Sequence, residues 1–256
     1  MIQENDFLSR LKAKQRQFVI VQGEKVVRRL EFLYGRYSTL GDRGFFDPRQ
    51  FFWNQQIEAN WRIIRQELEG ILENLERVPN FQDVSPDQYS VTDDDRWKTY
   101  FLYAYGLKAK KNCDRCPETT RLIESIPGMK TAFFSILLPG KHIPEHRGPH
   151  KGFLRYLLAL KVPREKEKCR IRVGDEIQHW EEGKSMMFDD TFPHEVWNDT
   201  DEIRVVLFLD IVRPLYFPMS WFNQFFIWLI SISPYIQTGK KRLEEWDQNG
   251  SIPILQ

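Results

Sequence analysis

Residues 131–212 constrain the fold of this chain more than any other part of its sequence. In this segment, short apolar runs such as TAFFSILL, FLRYLLALKV and RVVLFLDIV alternate with turn sequences such as PGK, VGDE and EEGK. Several short strands at this spacing are typical of an antiparallel sandwich or barrel. Because many short strands must hide their edges, a closed jelly roll is favoured over an open sheet. Hairpin turns are predicted at residues 173–176 and 182–184.

Composition excludes some classes of protein. The chain has 256 residues, of which 41% are hydrophobic, so it can bury a sizeable core as one large or two small domains. Its net charge is only +1, so no overall electrostatic field favours a nucleic-acid partner. Three cysteines give no disulfide framework, and the polar N-terminus carries no apolar signal. These features favour a reducing, cytoplasmic location.

Helices are predicted before the strand-rich segment. Residues 1–45 form a polar, helix-leaning lead, and a short helix is predicted from Pro117 to the Pro127-Gly128 pair. Residues 97–106 are aromatic and typical of a strand. A longer amphipathic helix is predicted over residues 55–77, because apolar residues recur there at helical spacing: Ile57, Trp61, Ile64, Leu68, Ile71 and Leu75.

Cys113 and Cys116 form an isolated CxxC sequence. A structural zinc site needs a second pair of ligands, and Cys169 alone does not supply one. No thioredoxin-like βαβ pattern surrounds the pair. The sequence therefore favours neither a metal nor a redox role for these cysteines.

Residues 219–236 are strongly apolar and contain no charged residue. Their length is borderline for a membrane span, and Asn223, Gln224 and Pro234 argue against one. Two interpretations stay open. The segment is either a helix packed on the domain or a helix that lies in the membrane interface and gives a peripheral membrane contact. The second interpretation is supported by three basic residues that follow: Lys240, Lys241 and Arg242.

Two of the five histidines occupy positions where a metal site could form. His146 follows a predicted strand, and His194 begins the strand-like sequence HEVWN. Their separation of 48 residues (194 minus 146) suits two strands that face each other across a jelly roll. Non-haem Fe(II) oxygenases hold iron with two histidines and one carboxylate. That carboxylate usually lies two residues after the first histidine, where this chain has Gly148.

The missing carboxylate leaves several interpretations open. Water could complete the coordination of an iron ion, or Asp189 or Asp190 could replace the acid. Alternatively, the two histidines could form a structural pair without iron.

Arg204 favours the iron site. An iron-bound 2-oxoglutarate needs a buried cation for its far carboxylate, and arginine supplies a bidentate, permanently charged group. The alternation in RVVLFLD places Arg204, Val206 and Phe208 on one face of a strand. An ion pair of Arg204 with Asp201 or Glu202 is the alternative explanation for its position.

At these residues the sequence resembles the aspartyl/asparaginyl β-hydroxylase family of Fe(II)- and 2-oxoglutarate-dependent dioxygenases. The resemblance covers roughly residues 50–215. It is most specific in FFSILLPGKHIPEHRGPHKGFLRY, in CRIRVGDEIQHWEEGKSMMFDDTFPHEVWN and in RVVLFLDIVRP, which occur in the family's order and spacing. It implies an α+β, mainly β protein with a double-stranded β-helix (jelly-roll, cupin-like) core over about residues 95–213. The dioxygenase domain then spans residues 46–215, and residues 216–256 form a C-terminal apolar helix and a polar tail.

The resemblance also implies roles for individual residues. The family binds iron with two histidines only and typically has glycine at the acidic position, as at Gly148 here. One residue departs from the family pattern, because Leu157 stands where a histidine usually contacts 2-oxoglutarate. Carried over position by position, the iron ligands are His146 and His194, the distal carboxylate of 2-oxoglutarate is held by Ser135 and Arg204, and its site is completed by Arg155 and Trp97.

The implied activity is hydroxylation of an unactivated C–H bond with Fe(II), 2-oxoglutarate and O2. Three substrate classes stay open: aspartyl or asparaginyl side chains of proteins, the acyl chain of a lipid such as lipid A, and free amino acids. Two other functions also stay open. Leu157 is compatible with a non-enzymatic cupin-like binding module. A 2-oxoglutarate-dependent halogenase would also lack the carboxylate ligand.

Overall fold

The computed structural model describes residues 30–84 and 92–249. Predictions for residues 1–29, 85–91 and 250–256 lie outside the described residues. The described helices are α1 (30–37), α2 (Asn54–Ala59), α3 (Trp61–Leu72), α4 (Phe81–Val84), α5 (Lys110–Arg115), α6 (Pro117–Glu124), α7 (Met219–Ser231) and α8 (Pro234–Asn249). The strands are β1 (Phe45–Phe46), β2 (Trp97–Ala104), β3 (Leu107–Lys108), β4 (Met129–Leu137), β5 (Lys141–His146), β6 (Phe153–Lys161), β7 (Cys169–Val173), β8 (Glu176–His179), β9 (Ser185–Phe188), β10 (His194–Asn198) and β11 (Arg204–Val212).

These strands form two facing antiparallel sheets. The larger sheet has the order β1-β9-β6-β11-β4-β2-β3, and the smaller sheet has the order β5-β10-β7-β8. Successive strands of the chain therefore wind between the sheets, which is the double-stranded β-helix predicted from the sequence. The prediction of an antiparallel jelly roll is confirmed.

The two faces of the larger sheet bury different side chains. On β6, the side chains of Tyr156, Leu158 and Leu160 pack in the cluster that contains α3 and α6. Leu157 and Ala159 point the other way, into a second cluster between the sheets. Both faces of β6 are covered, so its sequence is almost continuously apolar. Strand β7 alternates buried and partly exposed residues because the smaller sheet has one face towards solvent.

The helix predicted over residues 55–77 is divided in the structure. Helix α2 ends at Ala59, α3 begins at Trp61, and a 3-10 turn follows at Leu75–Arg77. The Asn60 side chain donates a hydrogen bond to the Gln56 carbonyl at 2.8 Å, and this local bond competes with a continuous helix. The predicted apolar stripe is nevertheless the buried face, with Ile57, Ile64, Leu68 and Ile71 in the core.

One of the two predicted hairpin turns is wrong. Residues 173–176 do connect β7 to β8, and Val173 lies opposite Glu176 in that hairpin. Residues 182–184 also form a turn, but they connect β8 of the smaller sheet to β9 of the larger sheet. The turn chemistry was recognisable in the sequence, whereas the change of sheet was not.

The C-terminal segment also differs from the prediction of one apolar helix and a polar tail. The tail from Thr238 is helical, because α8 continues to Asn249. Leu243 and Trp246 of α8 are buried, and the Trp246 ring meets the Tyr100 ring edge-on at 5.6 Å. No helix among the described residues has the length and apolarity that a membrane span requires.

Leu68 provides a test of this packing. It is fully buried between α3 and the larger sheet, whereas Ile63 on the same helix is 41% exposed. We expect Leu68→Ala to lower the free energy of unfolding by about 2–5 kcal/mol, because the truncated side chain leaves a cavity. Ile63→Ala should lower it by less than about 1 kcal/mol. Urea denaturation measures both, and equal effects would contradict the assigned faces of α3.

Candidate functional site

His146 and His194 lie side by side at one end of the β-helix. In the pairing of β10 with β5, His194 is directly opposite His146. Their ring centroids are 4.1 Å apart. The structure therefore brings together the two histidines that the sequence analysis singled out, from strands 48 residues apart (194 minus 146).

A β-bulge in β5 turns His146 towards the interior. Val196 pairs with Ile143, and His194 pairs with His146, so β10 advances by two residues while β5 advances by three. Strict alternation would instead place Glu145 on the inward face with Ile143. Bulges re-aim side chains next to functional sites. The sequence analysis missed the bulge, for which Pro144 within the strand was a signal.

Backbone carbonyls fix the orientation of both imidazoles. Nδ1 of His146 donates to the Pro144 carbonyl at 2.8 Å, and Nδ1 of His194 donates to the Phe192 carbonyl at 3.0 Å. Since a carbonyl can only accept, each Nε2 of the neutral ring keeps its lone pair for a metal. Burial lowers the pKa of His146 and lowers the pKa of His194 to about 4. Both rings are therefore neutral at pH 7 and suited to metal binding.

The space that a carboxylate at position 148 would need is already filled. A Cβ atom built on Gly148 would overlap the carboxylate of Asp190, and the Gly148 amide donates to the Asp190 carbonyl at 2.6 Å. Glycine is thus the residue that lets the two segments approach. The described residues contain no group of three or more His, Cys, Asp or Glu side chains placed to hold a metal.

Both of the aspartates that could replace the missing carboxylate ligand are paired with cationic side chains of the protein. Asp189 is completely buried, and it is paired with Arg213 and with Lys151. Asp190 accepts hydrogen bonds from Nε and Nη2 of Arg155, at 3.0 and 2.7 Å.

Arg155 connects three parts of the site. It lies opposite Asp210 in the pairing of β6 with β11, and its guanidinium forms a second ion pair with that residue. Its guanidinium also lies over the Phe208 ring, 5.2 Å from the centroid. Asp210 was not identified from the sequence, where it is one acid at the end of an apolar strand. The charge of Arg155 is therefore balanced by two carboxylates of the chain itself.

Trp97, Ser135 and Arg204 lie on the inward face of the larger sheet. Leu137 of β4 is opposite Trp97 on one side and opposite Arg204 on the other. Nε1 of Trp97 donates to Oγ of Ser135 at 3.1 Å. The predicted co-substrate residues from three strands therefore share one surface.

Arg204 carries a buried charge without an acidic partner. Its side chain is 3% exposed and lies over the Trp180 ring at 4.9 Å. Within the part of the chain that the structure describes, no carboxylate is within ion-pair distance of it, and Glu202 instead pairs with Arg164. The suggested ion pair with Asp201 or Glu202 is therefore wrong. Burial lowers the pKa of Arg204 to about 10, so the group stays charged at neutral pH.

A cavity of about 200 Å³ opens in front of the two histidines. Trp97, Arg155 and Asp190 line it, whereas Ser135 and Arg204 are buried and are not among its lining residues. Leu157 is buried in the apolar cluster between the sheets. The cavity's remaining walls are mostly apolar and are contributed by α4, β2, β4, β9, β11 and α8 through Phe81, Phe101, Phe133, Phe188, Phe208 and Ile236.

The sequence of this chain is similar to those of known proteins. The family model of the aspartyl/asparaginyl β-hydroxylases matches residues 58–214. The ornithine lipid ester-linked acyl 2-hydroxylase of Rhizobium tropici is 43% identical, over 87% of this chain and 79% of that protein. Human aspartyl/asparaginyl β-hydroxylase is 32% identical over 62% of this chain, but the match spans only 21% of the human protein. Among solved structures, a Pseudomonas putida prolyl-4-hydroxylase is similar over 60% of this chain and 87% of that one, with 16% identity and a TM-score of 0.40.

The chain belongs to the aspartyl/asparaginyl β-hydroxylase family, as the sequence motifs predicted. It is therefore an enzyme of the hydroxylase class. The matched region includes both histidines, Arg155 and Arg204.

Gly148 offers a test of the close contact beside His146. We expect Gly148→Ala to weaken the binding of Mn(II) by about tenfold or more, because the new methyl group displaces Asp190 and disturbs the shell around the histidines. Gly70→Ala is the matched control, since a Cβ at Gly70 meets no atom within 4 Å. Calorimetric titration with Mn(II) measures both. Wild-type affinity in Gly148→Ala would contradict the proposed crowding.

Proposed function

We propose that this protein is an Fe(II)- and 2-oxoglutarate-dependent dioxygenase that hydroxylates the acyl chain of a membrane lipid. The observation that carries the proposal is the convergence of two neutral, oriented imidazoles of the smaller sheet at a mostly apolar cavity. On the facing larger sheet, Arg204 is a buried arginine with no acidic partner among the described residues. The likeness to a lipid acyl 2-hydroxylase over most of both chains supports the substrate class.

His146 and His194 would hold the iron through Nε2. Imidazole nitrogens suit Fe(II), and two protein ligands leave several coordination positions for co-substrate and O2. When bound, iron and 2-oxoglutarate supply the oxidative chemistry, in which the co-substrate loses CO2 to become succinate and one oxygen atom of O2 enters a C–H bond. The Nδ1 hydrogen bonds to Pro144 and Phe192 hold both rings in place and leave Nε2 of each ring free to bind the metal.

Arg204 would bind the distal carboxylate of 2-oxoglutarate. A buried guanidinium without an acidic partner is unfavourable unless an anion binds to it. Ser135 would donate a hydroxyl to the same carboxylate, and Trp97, which already contacts Ser135, connects it to the open cavity. Leu157 adds no polar contact, so the orientation of the co-substrate depends more strongly on Arg204.

Arg155 has a different role in this proposal. Its two ion pairs, to Asp190 and Asp210, balance its charge before any anion binds. Its main contribution is therefore to hold the Asp190 carboxylate beside the histidines, in the space that Gly148 leaves open.

An acyl chain fits the cavity better than a polar substrate does. Five phenylalanine rings are among the residues that line the cavity, and they favour an alkyl chain over an aspartyl side chain or a free amino acid. A lipid substrate would bring the enzyme to a membrane surface.

The first experiment compares His146→Ala with His142→Ala. His142 lies on the same strand, but it pairs with Glu195 on the exposed face. With Fe(II), 2-oxoglutarate and a bacterial lipid extract, the wild type and His142→Ala should release succinate and add one oxygen atom to a lipid acyl chain. His146→Ala should lower both signals by at least about 100-fold, because the metal loses one of two protein ligands. Mass spectrometry measures the products. Wild-type turnover by His146→Ala would refute the metal site, and oxygen gained only by peptides would refute the lipid substrate.

The second experiment examines Arg204. Arg204→Lys should raise the KM for 2-oxoglutarate by about tenfold or more, because lysine cannot make the bidentate contact with a carboxylate. Arg170→Lys is the control, since Arg170 also stacks on a tryptophan but does so on the outer face of the smaller sheet. Steady-state rates at varied 2-oxoglutarate give both constants. An unchanged KM in Arg204→Lys would remove this residue from the co-substrate site.

A further inference from the structure

Helix α7 has two unlike faces. Met219, Asn223 and Ile227, spaced by four residues, are buried against the domain. The opposite face exposes large apolar side chains, and the helix contains no charged residue. This outward face consists of Trp221 (69% exposed), Phe225 (45%), Trp228 (54%), Leu229 (39%) and Ile232 (51%).

Two residues before the helix extend this outward face. Tyr216 is 62% exposed and Phe217 is 80% exposed. Contiguous apolar surface of this kind is rare on a protein that has no partner for it. Two tryptophans and a tyrosine are also the residues that favour the boundary between water and lipid, where an apolar ring and a polar N–H or O–H are both satisfied.

The inward face of α7 is fixed to the loop that follows His146. Nδ2 of the Asn223 side chain donates to the Gly152 carbonyl at 3.0 Å, and Oδ1 of the same side chain lies 3.0 Å from Nε2 of His150. The Phe226 ring stacks on His150 at 5.4 Å. A Cβ atom at Gly152 would overlap Asn223, so the helix and the loop are in close contact. The outward face is thus held in a defined position relative to the metal-binding histidines.

The outward face ends, along the chain, four residues before a residue of the cavity wall. Ile232 is exposed at the end of α7, and Ile236, four residues later (236 minus 232), lines the cavity. Thr238, Gly239 and Lys240 from the first turns of α8 line it as well, together with His146. A lipid layer against α7 would therefore lie beside the opening through which an acyl chain must enter.

We propose that the outward face of α7 docks on a lipid bilayer and sets the cavity mouth at its surface. The helix has 13 residues, so it would lie in the plane of the interface with its aromatic side chains among the acyl chains. A second copy of the chain is the competing occupant of this face. A copy bound there would stand beside the opening through which the substrate must enter the cavity. The proposal deepens the function proposed above and rests on it for the link between docking and turnover.

Vesicle sedimentation tests the docking without any turnover. Wild-type protein should sediment with phosphatidylcholine–phosphatidylglycerol vesicles and remain bound at high salt, because apolar insertion is not screened. The double variant Trp221→Ser/Trp228→Ser should bind at least about tenfold more weakly. Phe225→Ser should also weaken binding, whereas Phe52→Ser should not, although Phe52 is an 83% exposed phenylalanine outside α7.

Three results would overturn the docking. The wild type could stay in the supernatant, or the double variant could bind vesicles as the wild type does. In sedimentation velocity without lipid, the wild type could also be a dimer and the double variant a monomer. That result would assign the face to a second copy of the chain.

A turnover assay separates this proposal from the proposed function. On lipid dispersed in detergent, the double variant should release succinate at the wild-type rate, and on intact vesicles it should be at least about tenfold slower. Equal slowing on both substrates would place the effect in the active site and contradict docking. Vesicle binding by a wild type that hydroxylates no lipid would leave the docking supported and refute the lipid substrate.

Discussion

The pairing of β5 with β10 is the constraint on which the rest of the site depends. It places His146 opposite His194, and the bulge at residues 144–145 turns the first imidazole inward. Strand β5 supplies the carbonyl of Pro144, and the turn before β10 supplies that of Phe192, so the backbone that positions the rings also orients them. The proposed metal centre with two protein ligands would rely on this rigidity, because the described residues place no third ligand side chain beside the histidines.

Two arginines near the histidines, Arg155 and Arg204, differ in the partners of their buried charges. Next to the cavity, Arg155 is balanced by Asp190 and Asp210, and Asp190 occupies the space beside Gly148. The buried guanidinium of Arg204 lies over the Trp180 ring and near the Cys169 thiol, and it has no carboxylate partner among the described residues. Since an unpaired buried cation is unfavourable, the two arginines have different capacities for a bound anion. Arg204 can accept a carboxylate, whereas Arg155 already holds two.

Much of this structure could be predicted from the sequence. The parts that could not be predicted have one physical cause in common. Short apolar runs with turns between them indicated the jelly roll, and the spacing of His146 and His194 indicated that they meet. The bulge, the break at Asn60 and the ion pairs of Arg155 depend on contacts between distant segments, which local patterns do not encode. The faces of α7 were likewise undetermined, because a uniformly apolar helix shows no periodicity until its neighbours are known.

We propose that two imidazoles hold one metal ion while Arg204 holds the far end of the co-substrate. A crystal structure grown without oxygen, with Mn(II) and 2-oxoglutarate, would show both contacts. We expect one metal ion bonded to Nε2 of His146 and Nε2 of His194, chelated by the keto-acid end of 2-oxoglutarate, whose other carboxylate lies on the guanidinium of Arg204. Metal bound elsewhere, or a distal carboxylate bound away from Arg204, would contradict it.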